Sequence, residues 1–199
     1  DGFDLHKFKS NKQHYQQFRK ELKVSENAIL VGHVSRLHPM KDHTTFLRAI
    51  ERVVSYLSDI GSKKEVIFLL IGHGVTNKLS NNKAIYFLGE RSDIPKIMSS
   101  LDILVSSSAW GEGFPNVIGE AMASEIPCVV TDVGDSAYIV DKYGIVCPVG
   151  DGQCIANALL KLIENKEDRK IVGRQARKRI KENYSMDKIK KEYLKEWGF

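Results

Sequence analysis

Two glutamates eight positions apart, Glu112 and Glu120, close the run Glu112-Gly113-Phe114-Pro115-Asn116-Val117-Ile118-Gly119-Glu120. The run follows apolar Ile103-Leu104-Val105 and leads into a helix-like stretch, which puts it at the carboxyl end of a strand. Open α/β sheets bind ligands at that edge. A helix entered through Gly113, Phe114 and Pro115 offers unpaired N–H groups and a positive dipole end to an anion. With Pro115 at the first helical position, Asn116 and Glu120 fall four apart on one face, and Val117, Ile118, Ala121 and Met122 are left to cover a sheet. Glu112 precedes the helix and reaches the same crevice from above. The glutamates are separated by about two helical turns, too far for an adjacent acid and base. They suit different parts of one extended ligand. Carboxylates grip hydroxyls and the helix tip holds an anion, so the expected ligand carries both sugar and phosphate.

A second constellation, Arg36 with Lys41, falls just after the strand that ends near Val31-Gly32. A planar guanidinium grips two phosphate oxygens at once and the lysine adds a mobile point charge. Asp42 or Thr44 is placed to cap the helix that follows. His33 and His38 read as packed or solvated rather than catalytic. Gly72-His73-Gly74 begins like a dinucleotide fingerprint, but Asn77 stands where the third small residue belongs and no acidic ribose ligand follows. That loop is expected to let backbone approach a ligand or to make a tight turn. Gly89-Glu90-Arg91 lies on another loop of the same edge and is a candidate base-side contact, unless it is a turn capped by Ser92 or Asp93. No Asp-x-Asp, H-E-x-x-H, G-x-S-x-G or Walker lysine motif occurs, so nothing points to a metal-bridged diphosphate site, a metalloprotease, a serine hydrolase or a P-loop ATPase.

Alternating elements must position these residues. The patterns predict strands at 29–31, 66–71, 85–88, 103–105, 129–130 and 144–147, and helices at 11–22, 44–57, 94–99, from 115, 155–163, 169–183 and 186–197. Continuous apolar strands between helices imply a parallel sheet covered on both faces. About six such units make an α/β, Rossmann-like, doubly wound domain. The expected organisation is one domain over 1–199, with an opening segment and helix at 1–24, the core at 25–165 and C-terminal helices at 166–199. Apolar residues in the last helices are too sparse for a separate core, so they are expected to pack back.

The 199 residues carry a net charge of +5, with 28% charged and 42% hydrophobic side chains, ordinary for a globular α/β domain. Arg174, Arg177, Lys178, Arg179 and Lys181 crowd one stretch. They read first as a solvated helix face, then as a contact for an anionic membrane surface; no nucleic-acid motif accompanies them. No apolar run approaches the roughly 20 residues that span a bilayer, and no signal peptide is seen. The chain opens at Asp1, which suggests a piece of something longer. Cys128, Cys147 and Cys154 lack metal-ligand spacing and are expected to be structural thiols in a reducing cytoplasm.

In order and spacing these pieces resemble the C-terminal half of a family 4 (group 1) glycosyltransferase with the GT-B fold. Asp1-Gly2-Phe3-Asp4 with Phe8 is similar to the segment entering that domain. Residues 31–41 resemble its arginine-lysine phosphate loop, residues 87–91 with Asp93-Ile94-Pro95 its base-side loop, residues 112–120 its glutamate–seven–glutamate motif, and Thr131-Asp132-Val133-Gly134 follows in place. Departures are Asp42 where glycine is common, Ser124-Glu125-Ile126 before Pro127, and Asp135 in place of a frequent glycine; the last two bear on donor-sugar selectivity, not on the fold. The resemblance implies a retaining transferase without an obligatory metal or other cofactor, taking a nucleoside-diphosphate sugar, preferably a UDP sugar. Arg36, Lys41 and Glu112 would be catalytic. Gly32, Arg36, Lys41, Gly72, Glu90, Arg91, Glu112, Gly113, Phe114, Pro115, Asn116, Val117 and Glu120 would hold the donor. The acceptor, a glycan or lipid-linked glycan of a bacterial surface polysaccharide or lipopolysaccharide, would meet an N-terminal domain absent from this sequence. A cytoplasmic location with peripheral association with the inner membrane goes with that reading. A non-catalytic nucleotide-sugar-binding module and a GT-B sugar-nucleotide epimerase or phosphorylase are the alternatives.

Overall fold

A computed structural model describes residues 2–196; Asp1 and the expected helix end at residue 197 lie outside them. In chain order the elements are α1 (Lys12–Leu22), β1 (Ile29–Val34), α2 (His43–Asp59), β2 (Val66–Ile71), β3 (Ile85–Gly89), α3 (Ile94–Met98) and β4 (Ile103–Ser106). Then follow α4 (Asn116–Ala123), β5 (Cys128–Thr131), α5 (Ser136–Val140), β6 (Ile145–Cys147), α6 (Gly152–Glu164), α7 (Lys166–Asn183) and α8 (Met186–Glu196).

The six strands form one sheet in the order β3-β2-β1-β4-β5-β6, parallel throughout. Successive side chains on a strand point to opposite faces. Leu30, Leu69, Leu104 and Val130 therefore enter one core with Ile97, Met122 and Ile180 of α3, α4 and α7. Val31, Phe68, Val105 and Val129 enter the other with Phe46 and Val53 of α2 and Leu159 of α6. Burial on both faces is why the strands read as unbroken apolar runs. The result is the expected α/β, Rossmann-like sheet with helices on both sides. Side-chain caps set the helix starts: Asn11 accepts from His14 N–H, Asp42 from Thr45 N–H and Asp151 from Cys154 N–H.

The last helices do pack back. At Gly173 of α7 a Cβ would lie 2.0 Å from the Glu125 carbonyl oxygen, so only glycine admits this approach. The expected solvated basic face is corrected at two positions. Arg177 donates to the carbonyls of Phe8, Leu5 and Ala123, and Arg179 to those of Ile139 and Tyr138. Helix ends and loops leave carbonyls without partners, and a guanidinium on a neighbouring helix supplies donors in a fixed fork. Arg174, Lys178 and Lys181 remain exposed. The opening segment is tied to the same end, with Phe3 N–H bonded to Tyr184 O at 2.7 Å and Met186 N–H to Phe3 O at 3.1 Å.

The expectation of three reduced thiols is also corrected. Cys128 is free and buried, its thiol pKa pushed up by that burial. Cys147 and Cys154 are joined as a disulfide, their Cα atoms 5.7 Å apart. The turn from β6 into α6, through Gly150 at φ +74° and the Asp151 cap, brings the strand end back to the first helical turn. Linear spacing did not reveal that return.

Candidate functional site

β1 pairs with β2 on one side and β4 on the other, so the chain leaves these neighbouring strands in opposite directions. A crevice opens between their loops at such a switch point. The two loops are bound together here. Ala109 N–H donates to Met40 O at 2.8 Å, and Ser107 Oγ lies 2.9 Å from Lys41 O and 3.1 Å from Asp42 O. Gly111, at φ +71°, has Met40 Sδ where a Cβ would fall. Across this seam Lys41 Nζ forms an ion pair with Glu112 Oε1, and the same oxygen accepts from Ser108 Oγ. The side chains of Lys41 and Glu112 are 18% and 8% exposed, so little water screens their attraction. Arg36, on the same loop, is exposed and has no ion-pair partner among the described residues.

α4 begins at Asn116 with Pro115 as its unassisted N-cap. Among the described residues the amides of Gly113, Phe114, Asn116 and Val117 find no backbone acceptor, which leaves the helix tip as an open set of donors. The loop before it is gripped from behind. Gly134, at φ +55°, passes so close that a Cβ would lie 2.1 Å from Glu112 O, and Asp135 N–H donates to Gly113 O at 3.1 Å. The Phe114 ring lies between Phe3 and Tyr184, both at 5.7 Å. Pro115 is buried and Val117 packs on the core. Those three side chains thus face protein and hold the loop.

Glu120 and Asn116 line a cleft of about 460 Å³ beside Phe3, Asp4, Lys7 and Met186. The Glu120 carboxyl accepts no hydrogen bond among the described residues. Burial raises its pKa, which the field of Lys7 partly offsets. Glu112 therefore meets Lys41 at the switch point, and Glu120 faces the opening segment one stretch of helix away.

A family profile for group 1 glycosyl transferases matches residues 28–165. The chain belongs to that family. It is 28% identical over 209 aligned positions to the UDP-Gal:alpha-D-GlcNAc-diphosphoundecaprenol alpha-1,3-galactosyltransferase of Escherichia coli, covering 98% of this chain and 52% of that protein. It is 26% identical over 192 positions to the N-acetyl-alpha-D-glucosaminyl L-malate synthase of Bacillus anthracis, covering 92% and 48%. The chain spans about half the length of these curated relatives. Its fold is similar to Anabaena Alr3699/HepE in complex with UDP and glucose, at TM-score 0.85 and 24% identity, over 100% of this chain and 55% of that one. It is also similar to the C-terminal domain of a group 1 family protein (LpcC) from Francisella tularensis, at TM-score 0.77 and 24% identity, over 93% and 100%.

Of the other expected site residues of this glycosyltransferase domain, Gly72, Glu90 and Arg91 follow β2 and β3 at the same edge, and Gly32 is set back from it. Gly32 is inside β1, with Leu101 Cδ1 2.5 Å from where a Cβ would be. Gly72, at φ +148°, leaves room for Ser35 O, 2.0 Å from a hypothetical Cβ, and its N–H donates to Gly89 O at 2.7 Å. Glu90 meets His73 at 3.1 Å, both exposed. Arg91 is drawn toward α1 by Asp93 at 2.7 Å and Glu21 at 2.9 Å, partners that raise its pKa. His38 accepts from Met40 N–H, and His33 is a buried ring. Sequence reasoning passed over Ser107 and Ser108. Three serines closing an apolar strand were the one available signal.

Among the described residues no group of three or more His, Cys, Asp or Glu is placed to hold a metal ion, and no helix is long and apolar enough to cross a membrane.

Proposed function

We infer that this chain is the donor half of a retaining glycosyltransferase. It takes a sugar from a nucleoside-diphosphate sugar, with UDP the favoured nucleotide, for a glycan or lipid-linked glycan acceptor in bacterial surface polysaccharide synthesis. The observation that carries this reading is the ion pair between Lys41 and Glu112, which ties the cation loop after β1 to the glutamate loop after β4 at the switch point. UDP is favoured because the E. coli relative is named for a UDP-Gal donor and the Anabaena neighbour was crystallised with UDP.

Glycosyl transfer breaks the bond between the anomeric carbon and the β-phosphate oxygen while an acceptor hydroxyl oxygen bonds to that carbon and gives its proton to the diphosphate, on which negative charge builds as it departs. Arg36 and Lys41 neutralise that charge. The free amides at the tip of α4 take phosphate and sugar oxygens. Glu112 orients the transferred sugar and Glu120 holds the ribose hydroxyls. Donors fixed in advance lower the barrier without reorganising, and one such donor is typically worth about 10²–10³ in rate. No obligatory metal or other cofactor enters this scheme. The acceptor belongs to a second domain that would complete the cleft, so the isolated chain binds nucleotide but transfers little sugar.

Thermal unfolding with UDP, GDP and ADP tests the assignment. At a concentration near a hundred times the dissociation constant, the right nucleotide adds about 2.7 kcal/mol of stability. At the same nucleotide concentration Arg36→Ala and Lys41→Ala remove most of the response. No shift with any of the three nucleotides overturns the reading.

A further inference from the structure

β4 runs into Ser107 and Ser108, whose residues are 0% and 2% exposed. Their hydroxyls point to opposite sides of the cation–glutamate seam. Ser107 Oγ is within 2.9 Å of Lys41 O, 3.1 Å of Asp42 O and 3.0 Å of His33 Nε2. Carbonyls only accept, so the Ser107 proton goes to them, and Oγ must accept from His33 Nε2–H. That choice fixes the tautomer. His33 Nδ1 then accepts from Ser35 Oγ–H at 3.2 Å, and Ser35 Oγ accepts from His43 Nε2–H at 3.4 Å. His33 stacks on Phe46 at 5.1 Å and lies 4.6 Å from the His43 ring. Burial, and then neighbouring His43 and Lys41, lower the His33 pKa well below the usual imidazole range. Every proton in this chain has one direction, and the chain ends on the backbone that carries Lys41.

Ser108 is anchored from β5: Thr131 Oγ1 donates to its carbonyl oxygen at 2.6 Å. Its own hydroxyl donates to Glu112 Oε1, the oxygen that Lys41 also holds. Lys41 has a long flexible stem, whereas a serine hydroxyl has almost no reach. When an anion draws Lys41 away, Ser108 is the remaining side-chain partner of that oxygen among the described residues, and Oε2 stays open.

We propose that Ser107 and Ser108 are positioning residues of the transfer reaction. Ser107, braced by His33, fixes the backbone from which Lys41 reaches the diphosphate. Ser108 retains Glu112 in place once Lys41 has exchanged its carboxylate for phosphate. This rests on the function proposed above.

Calorimetric titration of the chain with UDP, alone and in double-mutant cycles, decides it. Ser107→Ala weakens UDP about threefold to tenfold, the effect of one buried hydrogen bond, and Ser107→Thr restores it. In a Lys41→Ala background the Ser107→Ala effect disappears. Ser108→Ala also weakens UDP by about a few-fold, because Glu112 is left to Lys41 alone and competes with the diphosphate. In a Glu112→Gln background, which has no carboxylate to compete, Ser108→Ala is silent. Hydrogen exchange at the Met40, Lys41 and Asp42 amides is measured alongside, so that a weakly binding Lys41→Ala chain still gives an answer. Ser107→Ala accelerates exchange there and Ser108→Ala does not. Serine effects that persist undiminished in both backgrounds, or equal exchange rates in the two serine variants, overturn the proposal. Wild-type binding of none of UDP, GDP or ADP instead overturns the function itself.

Discussion

Asp102→Asn tests what holds α1 to the sheet. The side chains of Arg19 and Asp102 are 1% and 12% exposed and meet at 2.6 Å. Arg19 also donates to the carbonyls of Ala28 and Ser100, both at 2.9 Å, and of Tyr15 at 3.3 Å. Asp102 accepts from Leu30 N–H at 2.8 Å and Tyr15 Oη at 3.2 Å, and the Tyr15 ring covers the guanidinium at 3.3 Å. Asparagine keeps the size and an acceptor oxygen but leaves a buried guanidinium without its counter-charge. Breaking a buried pair in this way costs about 3–5 kcal/mol. The carbonyl bonds that Arg19 retains place this case near the lower bound, about 3 kcal/mol. For a chain of this size each kcal/mol moves Tm by about 2–4 °C, so a fall of about 6–12 °C is expected. Urea unfolding followed by circular dichroism at neutral pH measures it, with an unchanged m value showing that the unfolded state is not altered. Arg19→Met with Asp102→Leu should recover more than half of the loss, since an apolar pair needs no desolvation. A loss below about 1 kcal/mol, or a double variant no better than Asp102→Asn, would refute the buried-pair reasoning.

Two further outcomes follow from the site. Burial raises the Glu120 pKa, and ribose hydroxyls donate to the ionised carboxylate, so UDP affinity should fall as pH drops through that raised value and plateau above it. The sign for folding is opposite: a raised acid contributes stability below its unfolded pKa and loses it as pH climbs through the folded value. UDP titrations against pH in wild type and Glu120→Gln separate this from titration of the phosphate; identical slopes would defeat the assignment. Gly134→Ala should destabilise by about 1–3 kcal/mol and weaken UDP, because its Cβ would meet the Glu112 carbonyl at 2.1 Å. Gly150, at φ +74° with nothing within 4 Å of its Cβ, is the control for strain alone. If Gly134→Ala binds UDP as tightly as Gly150→Ala, the Glu112 loop is not held from behind as described.

Periodicity revealed the sheet because its four central strands are covered on both faces and each long helix on one. Val66–Ile71 was read to the residue; α5 was missed, although the equally short α3 was read. The cation loop and the glutamate loop were legible from residue type, since charge beside glycine at strand ends is otherwise unexplained. Their partners were not. Arg177 and Arg179 looked like surface charge until a carbonyl near a helix end stood beside each. Arg91 looked available until Glu21 and Asp93 flanked it. Which lone pair a donor finds depends on the chain's return path, and a single sequence does not encode that path locally. The same holds for Cys147 and Cys154, whose pairing depends on one turn.

The rim of the sheet explains how the site keeps its shape. Gly72 N–H reaches Gly89 O, Leu37 N–H reaches His73 O, Ala109 N–H reaches Met40 O and Asp135 N–H reaches Gly113 O. The loops after β1, β2, β4 and β5 are thus each bonded to the backbone of a neighbour, and a shift in one is resisted by the next. Stored within this rim, Lys41 and Glu112 neutralise each other at low exposure. On the proposed function, a diphosphate arriving at Lys41 replaces one anion by another. The lysine then meets no new desolvation, and the loops need not rearrange to receive the charge that develops as the sugar leaves. Arg36, exposed and unpaired among the described residues, is the cation left to attract the incoming nucleotide before that exchange. Removing Arg36 should therefore slow association and steepen with falling salt, whereas removing Lys41 should speed dissociation. Stopped-flow binding of UDP at two ionic strengths separates these, and equal effects of both variants on dissociation would contradict the division of labour.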